Sequence, residues 1–128
     1  MALYLARQPD GGFAIFDDLS VNFVATGLRM GEAAALFSRT GPHSSDRAWR
    51  EMMAAVNNMP IGMEIRDDTR TDARFDDLLN AVTMIRGRAF MKMQLCAMGM
   101  PLYEPASEPS DAVLELRDCY LSDGAEQA

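Results

Sequence analysis

Long apolar runs are missing from this 128-residue sequence. No stretch approaches the roughly 20 consecutive apolar residues that a membrane-spanning helix needs. A secretory signal has a basic region followed by a long apolar stretch, and the first seven residues do not show this pattern. We therefore expect a cytoplasmic protein that does not contact membranes.

Cysteine and histidine are also scarce. The two cysteines, Cys96 and Cys119, could form one disulfide, but a chain with 48% hydrophobic residues can bury a core without it. With no secretory signal, two free, buried thiols are the better interpretation. No paired-cysteine motif indicates zinc, and no glycine-rich segment matches a phosphate-binding loop. We therefore expect no cofactor.

Negative charge is present, but it is unevenly distributed. Residues 1–44 hold four acids and three bases, and residues 45–100 hold eight of each. Residues 101–128 hold seven acids and one base, so they carry -6 of the net charge of -7. Clustered lysines and arginines, which nonspecific phosphate binding requires, are absent. We therefore expect no direct binding to nucleic acid.

The beginning of the chain predicts an antiparallel β-hairpin. Two apolar runs, residues 3–6 and 13–16, flank the sequence Pro-Asp-Gly-Gly at residues 9–12. Proline presets φ at the first turn position, aspartate suits the second, and glycine takes the left-handed position that follows. Residues 21–25 predict a third strand, which would complete a short meander.

Helical periodicity predicts three helices in the middle of the chain. The first spans residues 31–38, the second begins at a serine cap at position 44 or 45, and the third begins at a cap at position 71 or 72. Residues 61–65 alternate between apolar and polar and predict a short strand. The apolar faces of the second and third helices predict these core residues: Trp49, Met52, Val56, Phe75, Leu78 and Val82.

Two later segments are compatible with a helix or a strand. Residues 89–97 alternate as a half-buried strand does, although Met, Leu, Lys and Gln favour a helix; the alternation slightly favours the strand. Residues 111–121 fit a helix capped by Ser110, but 113–116 could pair as an edge strand. Residues 102–109 predict a loop, and 122–128 a frayed tail. The predicted fold is α+β, with three to four helices on a small N-terminal sheet in one domain of residues 1–121.

Methionine is unusually abundant, at eleven residues. Thioethers and a thiolate are soft ligands suited to Cu(I), and a strand would place Met91 and Met93 on one face. Methionine also fills gaps in cores and forms adaptable recognition surfaces. We favour a recognition surface over a copper site. The residues of this methionine surface are Met91, Met93, Cys96, Met98 and Met100.

Two other groups of side chains have the chemistry of a site. His43, the only histidine, could act as a base for Cys96 or Cys119, but nothing in the spacing supports a catalytic pair. Aspartates at 67, 68, 72, 76 and 77 could hold Mg²⁺. Arginines interleave with them, however, and we interpret Asp76 and Asp77 as a solvated helix face with ion pairs.

A protein–protein interaction or inhibitor protein is the function that these features favour. It would occupy a partner's basic surface, such as one that binds nucleic acid, by charge complementarity. Small phage proteins that inhibit host defences share this size and charge, which is an analogy only. The alternatives are a small-molecule or Cu(I)-binding domain centred on residues 84–100, and a small hydrolase or transferase using His43 and a cysteine. The expected partner-binding residues are Glu104, Glu108, Asp111, Glu115 and Asp118.

Overall fold

A computed structural model describes residues 3–39, 45–57, 73–106 and 108–127. Its three strands are β1 (Leu3–Arg7), β2 (Phe13–Asp17) and β3 (Asn22–Leu28). Its five helices are α1 (Met30–Arg39), α2 (Ser45–Val56), α3 (Ala73–Arg86), α4 (Arg88–Ala97) and α5 (Asp111–Gln127). The predicted α+β class is confirmed. In the part of the chain that is described, no helix combines the length and the hydropathy that crossing a membrane requires.

The three strands form an antiparallel meander in the order β1-β2-β3. The first turn has the predicted chemistry, because the Gly11 amide donates to the Gln8 carbonyl at 2.9 Å and Gly11 has a φ of 93°. The Asp10 carboxylate also accepts a hydrogen bond from the Gly12 amide at 3.1 Å. The hairpin and the third strand are therefore confirmed.

The central strand β2 is buried on both faces, which explains why its sequence is a continuous apolar run. Successive side chains point to opposite faces of a strand, so the sheet contributes to two separate hydrophobic clusters. The first cluster, on one face, contains Leu3, Leu5, Phe13 and Ile15 with Ala33, Phe37, Met52 and Ala55 of α1 and α2. The second cluster, on the other face, includes Ala6, Ala14, Phe16 and Phe23 with Phe75, Leu78, Leu79, Val82, Met91, Leu95 and Val113 of α3, α4 and α5.

β3 is irregular where it pairs with β2. Phe16 lies opposite Phe23 and Ile15 lies opposite Ala25, so Val24 is an extra residue that forms a β-bulge. A second irregularity includes Gly27, which has a φ of 67°. The Gly27 amide donates to the side-chain oxygen of the buried Gln8 at 2.7 Å. Gln8 therefore connects the first turn to the irregular end of β3.

The free edge of β1 is closed by a buried ion pair. The Leu5 amide donates to Glu51 Oε2 of α2 at 3.0 Å, and Arg74 Nε of α3 donates to the Leu5 carbonyl at 2.5 Å. Arg74 Nη2 and Glu51 Oε2 are 2.5 Å apart, and only 3% of the arginine side chain is exposed. The guanidinium carbon also lies 5.9 Å from the centre of the Tyr4 ring. This pair joins helices on opposite faces of the sheet.

The prediction that Trp49 is a core residue is wrong, because 66% of it is exposed. Met52, Phe75, Leu78 and Val82 are buried as predicted, and Val56 is half-buried against the first cluster. The orientation of α2 is set by Glu51, which reaches the edge of β1. Trp49 precedes Glu51 by two residues and therefore lies about 200° around the helix from it.

The prediction of a strand at residues 89–97 is also wrong, because they form α4. Met91 and Leu95 are buried one turn apart, so helical spacing rather than alternation describes the contact with the core. Gly87 separates α3 from α4 with a φ of 99° and a ψ of 161°, a conformation that essentially only glycine adopts. This additional helix raises the number to five, compared with the three to four expected.

α5 confirms the helical alternative for residues 111–121 and rules out the edge strand at 113–116. The Ser110 carbonyl accepts a hydrogen bond from the Leu114 amide at 3.1 Å, so Ser110 occupies the cap position. Its hydroxyl, however, is buried and has no hydrogen-bond partner among the described residues, so the predicted side-chain cap is not formed. Fraying of residues 122–128 stays a prediction. The predicted strand at 61–65 and the caps at 44, 71 and 72 lie outside the described residues.

Replacing Leu78 by alanine should destabilise the protein by about 2–5 kcal/mol, because the side chain is completely buried in the cluster that α3, α4 and α5 form with the sheet. Trp49→Ala is the control and should change the free energy of unfolding by less than about 0.5 kcal/mol. Urea denaturation measures both values. Equal losses for the two variants would contradict the assigned packing.

Candidate functional site

Three acidic residues of α5 lie on a side of the helix that faces solvent. Asp111, Glu115 and Asp118 are separated by four and three residues, so they project from one side of the helix, and all three are exposed. Val113 is buried and Leu116 is half-buried on the side that packs against the core. We call Asp111, Glu115 and Asp118 the acidic face.

The other two predicted partner-binding residues precede α5. Glu108 is exposed, two residues before the cap position. Glu104 is also exposed, but its carboxylate Oε1 lies 3.0 Å from Arg88 Nη2 and 2.6 Å from Lys92 Nζ. The hydrogen bond from Lys92 is the main cause that lowers the pKa of Glu104. Two cations therefore offset the charge of Glu104, whereas Asp118 has a single exposed ion pair with the adjacent Arg117 at 3.0 Å.

Two buried aspartates of α3 hold the segment that leads into the acidic face. Asp76 accepts hydrogen bonds from the Tyr103 hydroxyl and, at 3.0 Å, from the Ala106 amide. Asp77 accepts one from the Ser110 amide at 3.1 Å. The path of the chain into α5 is therefore attached to the core of the protein.

The interpretation of Asp76 and Asp77 as a solvated face is wrong, because they are only 1% and 2% exposed. The first turns of α3 are buried on every side, since the sheet, α5 and the loop before α5 surround them. Buried carboxylates need hydrogen-bond donors, and the residues that precede α5 supply them from the Tyr103 hydroxyl and from the Ala106 and Ser110 amides. In the sequence both aspartates lie between Phe75 and Leu78, which are buried. This position is the signal from which their burial could have been predicted.

The structure divides the methionine surface. Met91 is buried and Met93 is 58% exposed, because a helix, unlike a strand, places residues two apart on nearly opposite sides. Met98 and Met100 are half-buried against the second cluster. Only Met93 and Cys96 remain together on the outer side of α4, one turn apart.

Both cysteines are free, as expected, but both are exposed, so the prediction that they are buried is wrong. His43 lies outside the described residues, and its proposed pairing with a cysteine stays a prediction. Among the residues that the structure describes, no three His, Cys, Asp or Glu side chains come together as a set of metal ligands.

Comparison of the chain with protein-family models, with curated proteins and with solved structures finds no match. The geometry of the acidic face and of the segment that supports it is therefore the basis for a functional proposal.

The carboxyl group of Glu104 should titrate below its ordinary pKa of 4.5, because Lys92 and Arg88 stabilise its charged form. The pH dependence of its carboxyl carbon shift in NMR measures the midpoint. Lys92→Met should move the midpoint back toward the ordinary value. A midpoint that is unchanged by this substitution would show that the contact with Lys92 does not persist in solution.

Proposed function

We propose that this protein binds a partner protein through the acidic face of α5, and that it acts by occupying a basic surface of that partner. The observation that carries this proposal is the position of Asp111, Glu115 and Asp118 on one side of α5, where all three side chains are exposed. A surface that binds nucleic acid has the complementary charge, so blocking such a surface is the form of inhibition that fits best.

The arrangement of these carboxylates reduces the stability of the helix that carries them. Like charges separated by three or four residues destabilise a helix by a few tenths of a kcal/mol for each pair. Asp111 is favourable in the first turn because of the helix dipole, but Glu115 and Asp118 lie beyond that turn. Binding to a cationic surface would offset this repulsion.

The acidic face is held in place before any partner binds. Asp77 fixes the backbone at the start of α5, and Asp76 fixes the loop before it. Because these contacts order the segment in the free protein, little additional entropy is lost when a partner binds. This preorganisation supports recognition rather than a role as a solubilising tail.

An apolar side chain beside the acidic face offers a contact that excludes water. Leu121 is 57% exposed and follows Asp118 by three residues, so it lies next to Asp118 on the same side of the helix. Interfaces typically combine buried aromatic or aliphatic anchors with a charged rim. We therefore include Leu121 in the proposed contact area.

The test begins with a comparison of the proteins captured from an extract by the unmodified chain and by the variant Glu115→Gln/Asp118→Asn. The control is Glu32→Gln, which removes one exposed helical carboxylate from α1, outside the acidic face. A partner captured by the unmodified chain and by the control, and lost with the double variant, is then purified for kinetic measurements.

The double variant should lower the association rate constant more than it raises the dissociation rate constant, and added salt should have the same effect. These changes are expected because exposed charges steer diffusional encounter. A partner whose binding does not respond to salt or to the double variant would contradict the proposal. So would a partner without a basic surface.

A further inference from the structure

A side chain of α4 occupies the outer edge of β3. Within residues 3–39, 45–57, 73–106 and 108–127, β3 is the last strand of the sheet, and no other strand pairs with its outer edge. Gln94 of α4 accepts a hydrogen bond from the Phe23 amide through Oε1 at 2.8 Å and donates to the Phe23 carbonyl through Nε2 at 3.4 Å. The side-chain amide thus takes the place of a residue in a fourth strand.

The other edge is protected differently. At β1, the buried pair of Glu51 and Arg74 binds both backbone groups of Leu5 beneath two helices. Val24 of β3, by contrast, is 53% exposed, and no such ion pair covers it among the described residues. Its seven residues, NFVATGL, contain a β-bulge at Val24 but no charge and no proline, which are two further protections of an edge strand.

We propose that Gln94 is a gatekeeper that prevents β3 from pairing with β3 of a second copy of this chain. A strand that meets itself in antiparallel orientation around Phe23 would satisfy the same amide and carbonyl that Gln94 now satisfies. The uncharged side chains of β3 would not repel their copies, although the chain as a whole carries -7. A second copy is therefore the partner that this edge fits when the glutamine is removed.

The experiment replaces Gln94 by methionine, which has a similar size and helix propensity but no amide group. The matched control is Met93→Gln, the reverse exchange at the exposed neighbouring position. Light scattering over a concentration series should show the mass of Gln94→Met rising toward that of two chains, while the unmodified protein and the control keep the mass of one. Circular dichroism establishes that each variant is folded.

A charge on the edge should reverse the effect. The double variant Gln94→Met/Val24→Lys should return to the mass of one chain, because the two lysines would lie diagonally across the new strand pair, on the same face and within reach of each other. A folded Gln94→Met variant that stays monomeric would overturn the proposal. Association that persists in the double variant would also overturn it, because the contact would then lie elsewhere.

Hydrogen exchange of the unmodified protein tests the same proposal without a variant. The Phe23 amide should be as protected as the amides between β1 and β2, because Gln94 occupies it. Exchange at the rate of an exposed amide would overturn the proposal, since the edge would already be open.

Discussion

The buried ion pair between Glu51 and Arg74 is the interaction on which the arrangement of the helices depends. It lies at the edge of β1, where it satisfies the amide and the carbonyl of Leu5. Because Glu51 belongs to α2 and Arg74 to α3, the pair connects the two helical layers around the sheet. Removing either side chain is costly, because the remaining one loses a hydrogen bond and part of the compensation of its charge.

Polar side chains determine how each remaining segment attaches to this framework. Gln8 ties the first turn to β3, and Gln94 closes the outer edge of β3. Asp76 and Asp77 hold the loop that leads to α5. Hydrophobic burial supplies the driving force, but it is not directional, so hydrogen bonds from buried groups select the positions of the edges and of the acidic face. The proposed binding surface is thus connected to the core through α3.

The sequence predicts those parts of the fold that depend on local chemistry. The turn at residues 9–12, the strands beside it and the buried residues of α3 follow from turn preferences and apolar spacing. Three features do not follow from local chemistry: the exposure of Trp49, the helical structure of α4 and the burial of the two aspartates. Each of them depends on contacts between distant segments. The orientation of α2 depends on an acid that binds another strand, and Asp76 depends on donors 27 and 30 residues away. The acidic residues could be identified from charge alone. That three of them share one face could be stated only once the segment was shown to be a helix.

A double-mutant cycle on Glu51 and Arg74 tests the central role of the ion pair most directly. Glu51→Gln, Arg74→Met and the double variant are compared with the unmodified protein by urea denaturation. Removing one partner should cost about 3–5 kcal/mol, because the remaining charge loses part of its compensation and the hydrogen bonds to Leu5 are weakened or lost. The double variant should cost less than the sum of the two by roughly 1–3 kcal/mol. Additive losses of less than about 0.5 kcal/mol each would show that the two layers are held together without this pair.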